Sequence, residues 1–182
     1  MTVPWCLRVH QPVLLLVLSA ATNAAIARTP PPGPLQRACA ADIEERIELR
    51  FADGRHVSAC APGDSDGCAY SSGQTTLDTT PDLNNDGRAD AILTYFGSSY
   101  GDIDVTHKLV LAQCPDGTYA RLLEGRFTTL AAPPAPHPAW PALEASRDCP
   151  GGRETFALHF ERSAARYRGP ENFDPDNACA HE

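Results

Sequence analysis

The sequence is poor in lysine, methionine and positive charge, and these shortages narrow the classes of protein to which it can belong. Lys108 is the single lysine among 15 cationic residues, and Met1 is the single methionine in a chain of 182 residues. The 23 acidic residues outnumber the cationic ones and give a formal net charge of −8. Because nucleic-acid and anionic-lipid binding both need cationic faces, the charge argues against both kinds of partner.

A helical pattern of apolar residues is also missing. No window of about 12 residues repeats apolar side chains with a helical period, which argues against a helical bundle. The chain instead contains 17 Pro and 13 Gly, the residues that favour turns. Its length predicts a single domain, because hydrophobic cores divide only in longer chains.

The one long apolar run lies near the N-terminus. Arg8 and His10 precede Val13–Leu18, and the small-residue pattern Ala25-Ile26-Ala27 follows. This order is typical of a secretory signal peptide, whereas a buried helix would need amphipathic surroundings that are missing here. The run is shorter than the ~20 residues of a membrane-spanning helix. We therefore expect residues 1–27 to be a signal peptide, and the exported chain to be periplasmic or secreted with no membrane span after cleavage.

The rest of the chain is predicted to contain a lead-in and one domain. Residues 28–38 are rich in proline and predict an extended, polyproline-like lead-in. Residues 39–182 are predicted to form a single calcium-binding β-domain.

Alternating apolar and polar residues predict strands. Ile47, Leu49 and Phe51 alternate with charged residues, and the turn Asp53-Gly54 follows, so a hairpin is expected over 45–60. Residues 61–81 are polar and are expected to form a long loop. Further strands are expected at 91–96, 104–113, 118–123, 126–130, 143–148 and 155–161. The predicted fold class is all-β, a mainly antiparallel meander or sandwich with hairpins that carries disulfides.

Export changes the interpretation of the cysteines. An even number in an oxidising compartment predicts disulfides, and no Cys-x-x-Cys pair supports a redox or zinc site. Cys60 and Cys68 flank a short polar loop and are the best candidates for a local pair. Cys39 and Cys179 lie near the mature ends, where a bridge would prevent fraying. The connectivity stays open among the six candidates: Cys39, Cys60, Cys68, Cys114, Cys149 and Cys179.

Residues 82–90, Asp-Leu-Asn-Asn-Asp-Gly-Arg-Ala-Asp, form the most informative motif. Calcium takes several hard oxygen ligands, and a chain that wraps a cation presents alternate side chains inward. The chain must then reverse sharply, which explains Gly87. We therefore predict one structural Ca²⁺, held by the Arg88 carbonyl and by side-chain oxygens, with Asp90 binding directly or through a water. The predicted ligands are Asp82, Asn84, Asp86, Arg88 and Asp90.

The segment is not an EF-hand. Position 12 is Leu93, where an EF-hand has a bidentate glutamate, and a strand is expected to follow instead of a helix. The alternative is an ordinary turn at Asn85-Asp86-Gly87 without metal, in which the clustered carboxylates would repel one another. Asp102 and Asp104 are candidates for further calcium oxygens or for charges that protect a strand edge.

The motif and the apolar strand after it, residues 82–96, resemble the calcium loops of FG-GAP and VCBS-type β-repeats. In those repeats the metal staples a β-turn at the start of a strand. The pattern occurs once here, whereas propellers carry several copies. The resemblance therefore implies a small exported domain with one structural ion.

The wider layout is similar to that of periplasmic lysozyme inhibitors and of immunity proteins against peptidoglycan-degrading toxins from type IV secretion systems. It consists of one such loop in a disulfide-bearing β-domain, with Tyr95, Tyr100 and Tyr119 around the next hairpin. This resemblance implies a non-enzymatic inhibitor of a basic exported protein such as a lysozyme-like enzyme. Either loop 97–104 with Tyr100 or the segment around Trp140 would bind the partner, and the acidic charge would favour a basic target.

Other interpretations stay open. A structural or adhesive module of the cell envelope would use the same calcium loop. A serine hydrolase is a third possibility, since Gly97-Ser98-Ser99-Tyr100-Gly101 satisfies G-x-S-x-G, but that motif needs a strand–turn–helix in a parallel sheet. Trp140 is either a lid on the core or an anchor for a partner. We predict no catalytic residue.

Overall fold

Antiparallel β-strands form most of the protein, which confirms the predicted all-β class. The computed structural model describes residues 33–40, 46–64, 67–96, 106–170 and 173–175. The predicted signal peptide lies outside these ranges. Within them, the strands are β1 (Arg46–Phe51), β2 (Val57–Cys60), β3 (Thr75–Thr79), β4 (Ala91–Phe96), β5 (Thr106–Gln113), β6 (Tyr119–Arg126), β7 (Thr129–Ala131), β8 (Leu143–Cys149), β9 (Gly152–Glu161) and β10 (Arg166–Arg168), and one helix, α1, spans Pro34–Cys39.

The described strands form two sheets. The six-stranded sheet has the order β2-β1-β6-β5-β4-β3, and the four-stranded sheet has the order β10-β9-β8-β7. The larger sheet curls until its two edges meet. His56 forms an isolated antiparallel bridge with Thr76, and the Leu77 N–H donates to the Arg55 carbonyl at 2.8 Å. The curl gives this sheet an inner face and an outer face.

Each face of the larger sheet buries its own apolar cluster. The outer face carries Ile92 and Val110, which pack against residues of the four-stranded sheet such as Leu143. Leu93 belongs to the separate cluster on the inner face. Ile92 and Leu93 are consecutive in β4, and both are fully buried. Burial on both faces explains why this strand is a continuous apolar run instead of an alternating one.

The local hairpins confirm several predictions. Phe51 pairs with Val57 across the β1–β2 turn, and the strands predicted over 91–96 and 143–148 are present. In β9, which corresponds to the strand predicted over 155–161, Leu158 is buried and His159 is exposed, so the two side chains lie on opposite faces.

Three strand predictions were incomplete or wrong. The loop expected over 61–81 contains β3, an edge strand whose single bulky apolar residue, Leu77, gives almost no alternation signal. The strand expected over 126–130 is divided, because Arg126 ends β6 and Thr129 begins β7. The short strand β10 was not predicted.

The lead-in is also not wholly extended. Residues from Pro34 to Cys39 form α1, with Gly33 as the N-cap. Pro34 occupies the first turn, where its missing N–H costs no hydrogen bond, and the Gly33 N–H donates to the Gln36 side chain at 2.9 Å. The proline therefore starts a helix here.

Two disulfides have both cysteines among the described residues, and one of them is local while the other joins distant segments. Cys60 and Cys68 are bonded at 2.04 Å, which confirms the predicted local pair. Cys39 is bonded to Cys114 at 2.05 Å, so the suggested pairing of Cys39 with Cys179 is wrong. The physical reason is that α1 lies beside β6, next to the β5–β6 turn that carries Cys114. Cys149 is also disulfide-bonded, and Cys179 lies outside the described residues.

These bonds indicate folding in an oxidising compartment, in agreement with an exported protein. Among the described residues, no helix has both the length and the apolar character needed to cross a membrane.

Candidate metal centre

The predicted calcium loop connects β3 to β4 and is closed at its base by the backbone. The Asp90 N–H donates to the Pro81 carbonyl at 2.8 Å. The Leu83 N–H donates to Asp90 Oδ2 at 2.8 Å. The two ends of the loop are therefore held together before any ion is considered.

The oxygens at the first and third positions converge. The Asp86 N–H lies 3.1 Å from Asp82 Oδ1 and 2.9 Å from Asn84 Oδ1, so both oxygens accept from the same donor. The Gly87 N–H donates to Asp82 Oδ2 at 2.9 Å. The alternate side chains of the loop thus turn inward, as the spacing predicts.

The sharp reversal occurs at two residues with positive φ. Gly87 has φ +82°, as expected, and Asn85 has φ +58°. Asparagine tolerates this left-handed conformation better than most residues. The Asn85 side-chain amide also donates to the His137 carbonyl at 2.9 Å, which fastens the loop to the Pro-rich segment 133–141.

An arginine supplies positive charge to the loop. The Arg88 guanidinium lies 2.7 Å from Asp86 Oδ2, and the Asn84 amide nitrogen lies 2.9 Å from the same oxygen. The Arg88 N–H donates to Asp86 Oδ1 at 2.9 Å. A cation bound by Asp86 would compete with the Arg88 side chain.

Asp90 is placed differently from the other acidic residues. Its side chain is fully buried, and its two oxygens accept from the Leu83 and Gln113 N–H groups, each at 2.8 Å. Burial raises the pKa of Asp90 to about 6, although the two N–H donors act in the opposite direction. The negative charges of Asp86 and Asp82 raise it further. Asp90 thus joins the loop to the end of β5.

The described residues contain no group of three His, Cys, Asp or Glu side chains arranged to hold a metal. The reason within this loop is that Asp90 faces the backbone donors, which leaves Asp82 and Asp86 as the carboxylates near the surface. The remaining donors are the Asn84 side-chain oxygen and the Arg88 carbonyl. All of these are hard oxygens, the ligand type that calcium prefers. The donor chemistry fits calcium, and the ligand assignments remain predictions.

The loop is anchored in the core between the sheets. Leu83 is fully buried, and its carbonyl accepts from the Trp140 N–H at 2.5 Å. The Trp140 ring stacks on Phe160 with centroids 4.1 Å apart and planes 8° from parallel. This packing matches the interpretation of Trp140 as a lid on the core. A rearrangement at the loop would therefore reach the core directly.

A second polar cluster was missed from the sequence. The hydroxyls of Tyr70 and Tyr95 donate to Glu124 Oε1 at 2.8 and 2.5 Å, and Arg121 pairs with Glu124 Oε2 at 2.6 Å. Burial raises the pKa of Tyr70 and of Tyr95 well above the ordinary phenol value, and Glu124 adds to the effect. Nothing in the local sequence pattern predicts the contacts of Tyr70 and Tyr95 with Glu124, because these three residues come from separate segments.

Several predicted functional residues fall outside the described part of the chain. These are Ser99, Tyr100, Asp102 and Asp104, which belong to the connection between β4 and β5. Tyr119 is partly buried against the inner cluster of the larger sheet.

The chain matches no protein-family model, no curated protein and no solved structure.

Proposed function

We propose that this chain is an exported, non-enzymatic β-domain that is stabilised by one calcium ion and binds a protein partner. The observation that carries the calcium part is the convergence of the Asp82 and Asn84 oxygens on the Asp86 N–H. Hard oxygen donors arranged by alternate positions of one tight loop are suited to calcium.

The ion would act on stability through the base of the loop. Asp82, Asn84 and Asp86 would hold it with side-chain oxygens, and Arg88 with its carbonyl. Leu83, which lies between Asp82 and Asn84 in the sequence, is fully buried in the core between the sheets. A ligand that binds only the folded state stabilises that state, and the gain in unfolding free energy rises with the logarithm of one plus the ratio of ligand concentration to dissociation constant. Calcium would therefore raise the melting temperature, and a chelator would reverse the effect.

The proposed partner is a basic exported protein, and a lysozyme-like peptidoglycan hydrolase is the best candidate. The formal net charge of −8 favours encounter with a basic enzyme. The proposed contact segment, residues 97–104 with Tyr100, is part of the connection from β4 to β5. Phe96 and Thr106 form the pair of strand residues next to this connection. Both strands have a neighbouring strand on each side in the larger sheet, and the segment itself lies outside the described residues.

A direct test measures hydrolysis of peptidoglycan by basic lysozyme-like enzymes in the presence of the mature protein. We expect stoichiometric inhibition that is lost in Tyr100→Ala. The matched control is Tyr119→Phe, whose ring is partly buried on the inner face of the larger sheet. Failure of the wild-type protein to bind or inhibit any enzyme of the panel would contradict the inhibitor proposal and favour a structural or adhesive envelope module.

A further inference from the structure

Hydrogen bonds join the loop over 82–90 to the connection between β7 and β8, residues 132–142, which we call the strap. The Asn85 side-chain amide donates to the His137 carbonyl at 2.9 Å. The Trp140 N–H donates to the Leu83 carbonyl at 2.5 Å. Five residues of the strap are proline, which fixes φ and has no N–H, so the strap is stiff and has fewer backbone donors than an ordinary connection.

The residues that contact the strap alternate with the predicted calcium ligands. Asp82, Asn84 and Asp86 are the predicted side-chain ligands, and the oxygens of the first two converge on the Asp86 N–H. Leu83 and Asn85, which lie between them in the sequence, make the contacts with the strap. This short stretch therefore offers one set of groups to an ion and another set to the strap. A backbone change that moves one set moves the other.

The donors of these two hydrogen bonds have positive φ. Asn85 has φ +58°, and Trp140 has φ +59°. A bulky side chain such as that of Trp140 rarely adopts this left-handed conformation, which persists only where the surroundings hold it. Here the Leu83 carbonyl holds the Trp140 N–H, and the indole ring stacks on Phe160 with centroids 4.1 Å apart. Loss of the contact with Leu83 would therefore let the backbone at Trp140 relax.

The strap also covers one side of the core between the sheets. Trp140 and Phe160 pack against the buried cluster that contains Leu83 and Tyr167. The Phe160 ring meets the Tyr167 ring edge to face, with centroids 5.3 Å apart. Movement of Trp140 away from Phe160 would thus expose the edge of this cluster to water.

We propose that calcium in the loop closes the strap on the core, with Leu83 and Asn85 as the coupling residues and Trp140 as the group that moves. The proposal rests on the calcium part of the proposed function. Ligands at alternate positions fix the backbone between them, so an occupied loop presents the Leu83 carbonyl and the Asn85 amide to the strap. Because coupling between two sites is reciprocal, a closed strap also strengthens calcium binding. Contact of a partner with the segment around Trp140 would then depend on calcium.

Trp140 fluorescence tests the coupling, because Trp140 is the only tryptophan in residues 28–182. Emission spectra of the mature protein are recorded in EDTA and during titration with calcium, and calorimetry measures calcium binding to the same samples. We expect the emission maximum to move to shorter wavelength as calcium binds, since the indole ring becomes less exposed to water. Calcium binding without a change in emission overturns the coupling and leaves the calcium proposal standing. Absence of calcium binding contradicts both.

A variant of the loop tests the role of Asn85. Asn85→Gly removes the amide that donates to the His137 carbonyl and still permits the positive φ. It should bind calcium about fivefold more weakly, and its emission should change less than that of wild type at calcium saturation. His137→Ala is the matched control, because it keeps the carbonyl that accepts the hydrogen bond. A wild-type emission change in Asn85→Gly would overturn the proposal.

A variant of the core tests the reciprocal effect. Phe160→Leu removes the ring on which Trp140 stacks but no predicted calcium ligand, so calcium affinity should fall about fivefold. Phe156→Leu is the matched control, since Phe156 lies on the same strand and packs against Phe127 and Phe173 instead. Thermal melts in EDTA check that both variants are folded. Equal calcium affinities of Phe160→Leu and Phe156→Leu would also overturn the proposal.

Discussion

The backbone N–H of Leu83 donates to the Asp90 carboxylate at 2.8 Å and closes the predicted calcium loop. The Leu83 side chain is fully buried in the core between the sheets, and the second Asp90 oxygen accepts from the Gln113 N–H on β5. The base of the loop is therefore part of the fold, whereas its tip carries the proposed calcium ligands. This division explains how an ion at the surface would stabilise the whole domain.

Replacing Asp90 by asparagine should destabilise the protein even without calcium. The carboxylate accepts from two backbone donors, whereas an amide offers one oxygen and sets an N–H₂ group against the other donor. An unsatisfied buried donor costs about 1–3 kcal/mol, and urea unfolding in EDTA measures this change. Asp148→Asn, at an exposed position, should leave the midpoint nearly unchanged. Equal urea-unfolding midpoints for wild type and Asp90→Asn would show that the hydrogen bonds of the Leu83 and Gln113 N–H groups to Asp90 do not stabilise the fold.

Asp90 should also make the metal-free protein less stable as the pH rises. Burial raises its pKa to about 6 from an ordinary value of 3.8, so the folded chain binds the proton more tightly than the unfolded chain. The resulting stabilisation is complete below the unfolded pKa and disappears as the pH rises through the folded pKa. As the pH rises from 3.8 to about 6, melting temperatures measured in EDTA should fall more steeply for wild type than for Asp90→Asn. If the melting temperatures of the two proteins changed equally with pH, the pH dependence could not be attributed to Asp90.

The two described disulfides should contribute unequally. Cys39 and Cys114 are 75 residues apart, whereas Cys60 and Cys68 are 8 apart. The loop-entropy relation gives about 4.5 kcal/mol for the first and about 2.5 kcal/mol for the second. Double replacement by serine, followed by urea unfolding, compares the two. If removal of Cys60–Cys68 lowered the unfolding free energy more than removal of Cys39–Cys114, restriction of the unfolded chain would not be the main source of disulfide stabilisation.

Gly125 should not tolerate a side chain. A Cβ there would lie 2.8 Å from Pro175 and 2.9 Å from the Phe127 ring. Overpacking of this kind costs about 1–3 kcal/mol, so Gly125→Ala should lower the unfolding free energy by that amount. Gly151→Ala is the control, because a Cβ there meets nothing within 4 Å. Equal stability of the two variants would show that Pro175 is not held against β6.

The sequence predicts those parts of the fold that depend on neighbouring residues. The β1–β2 hairpin follows from the alternation of Ile47, Leu49 and Phe51 around a turn. The positive φ of Gly87 follows from its position in the loop motif. Each of these features is decided within a short segment, where side-chain period and backbone preference act directly.

The remaining features depend on contacts between distant segments. The helix α1 meets the β5–β6 turn only in the folded chain, so local spacing did not predict the Cys39–Cys114 bond. The contacts of Glu124 with Tyr70 and Tyr95 span 54 and 29 residues. The edge strand β3 is defined by its pairing with β4 and has almost no apolar pattern of its own.

Calorimetric titration of calcium into the mature, EDTA-treated protein tests the central claim most directly. We predict saturable binding of one Ca²⁺ per chain, lost in Asp86→Ala and retained in Asp148→Ala, whose carboxylate pairs with Arg153 away from the loop. Asp86 is the decisive position because it contacts both Asn84 and Arg88 within the loop. The absence of saturable calcium binding to the wild-type protein, or unchanged affinity in Asp86→Ala, would contradict the account.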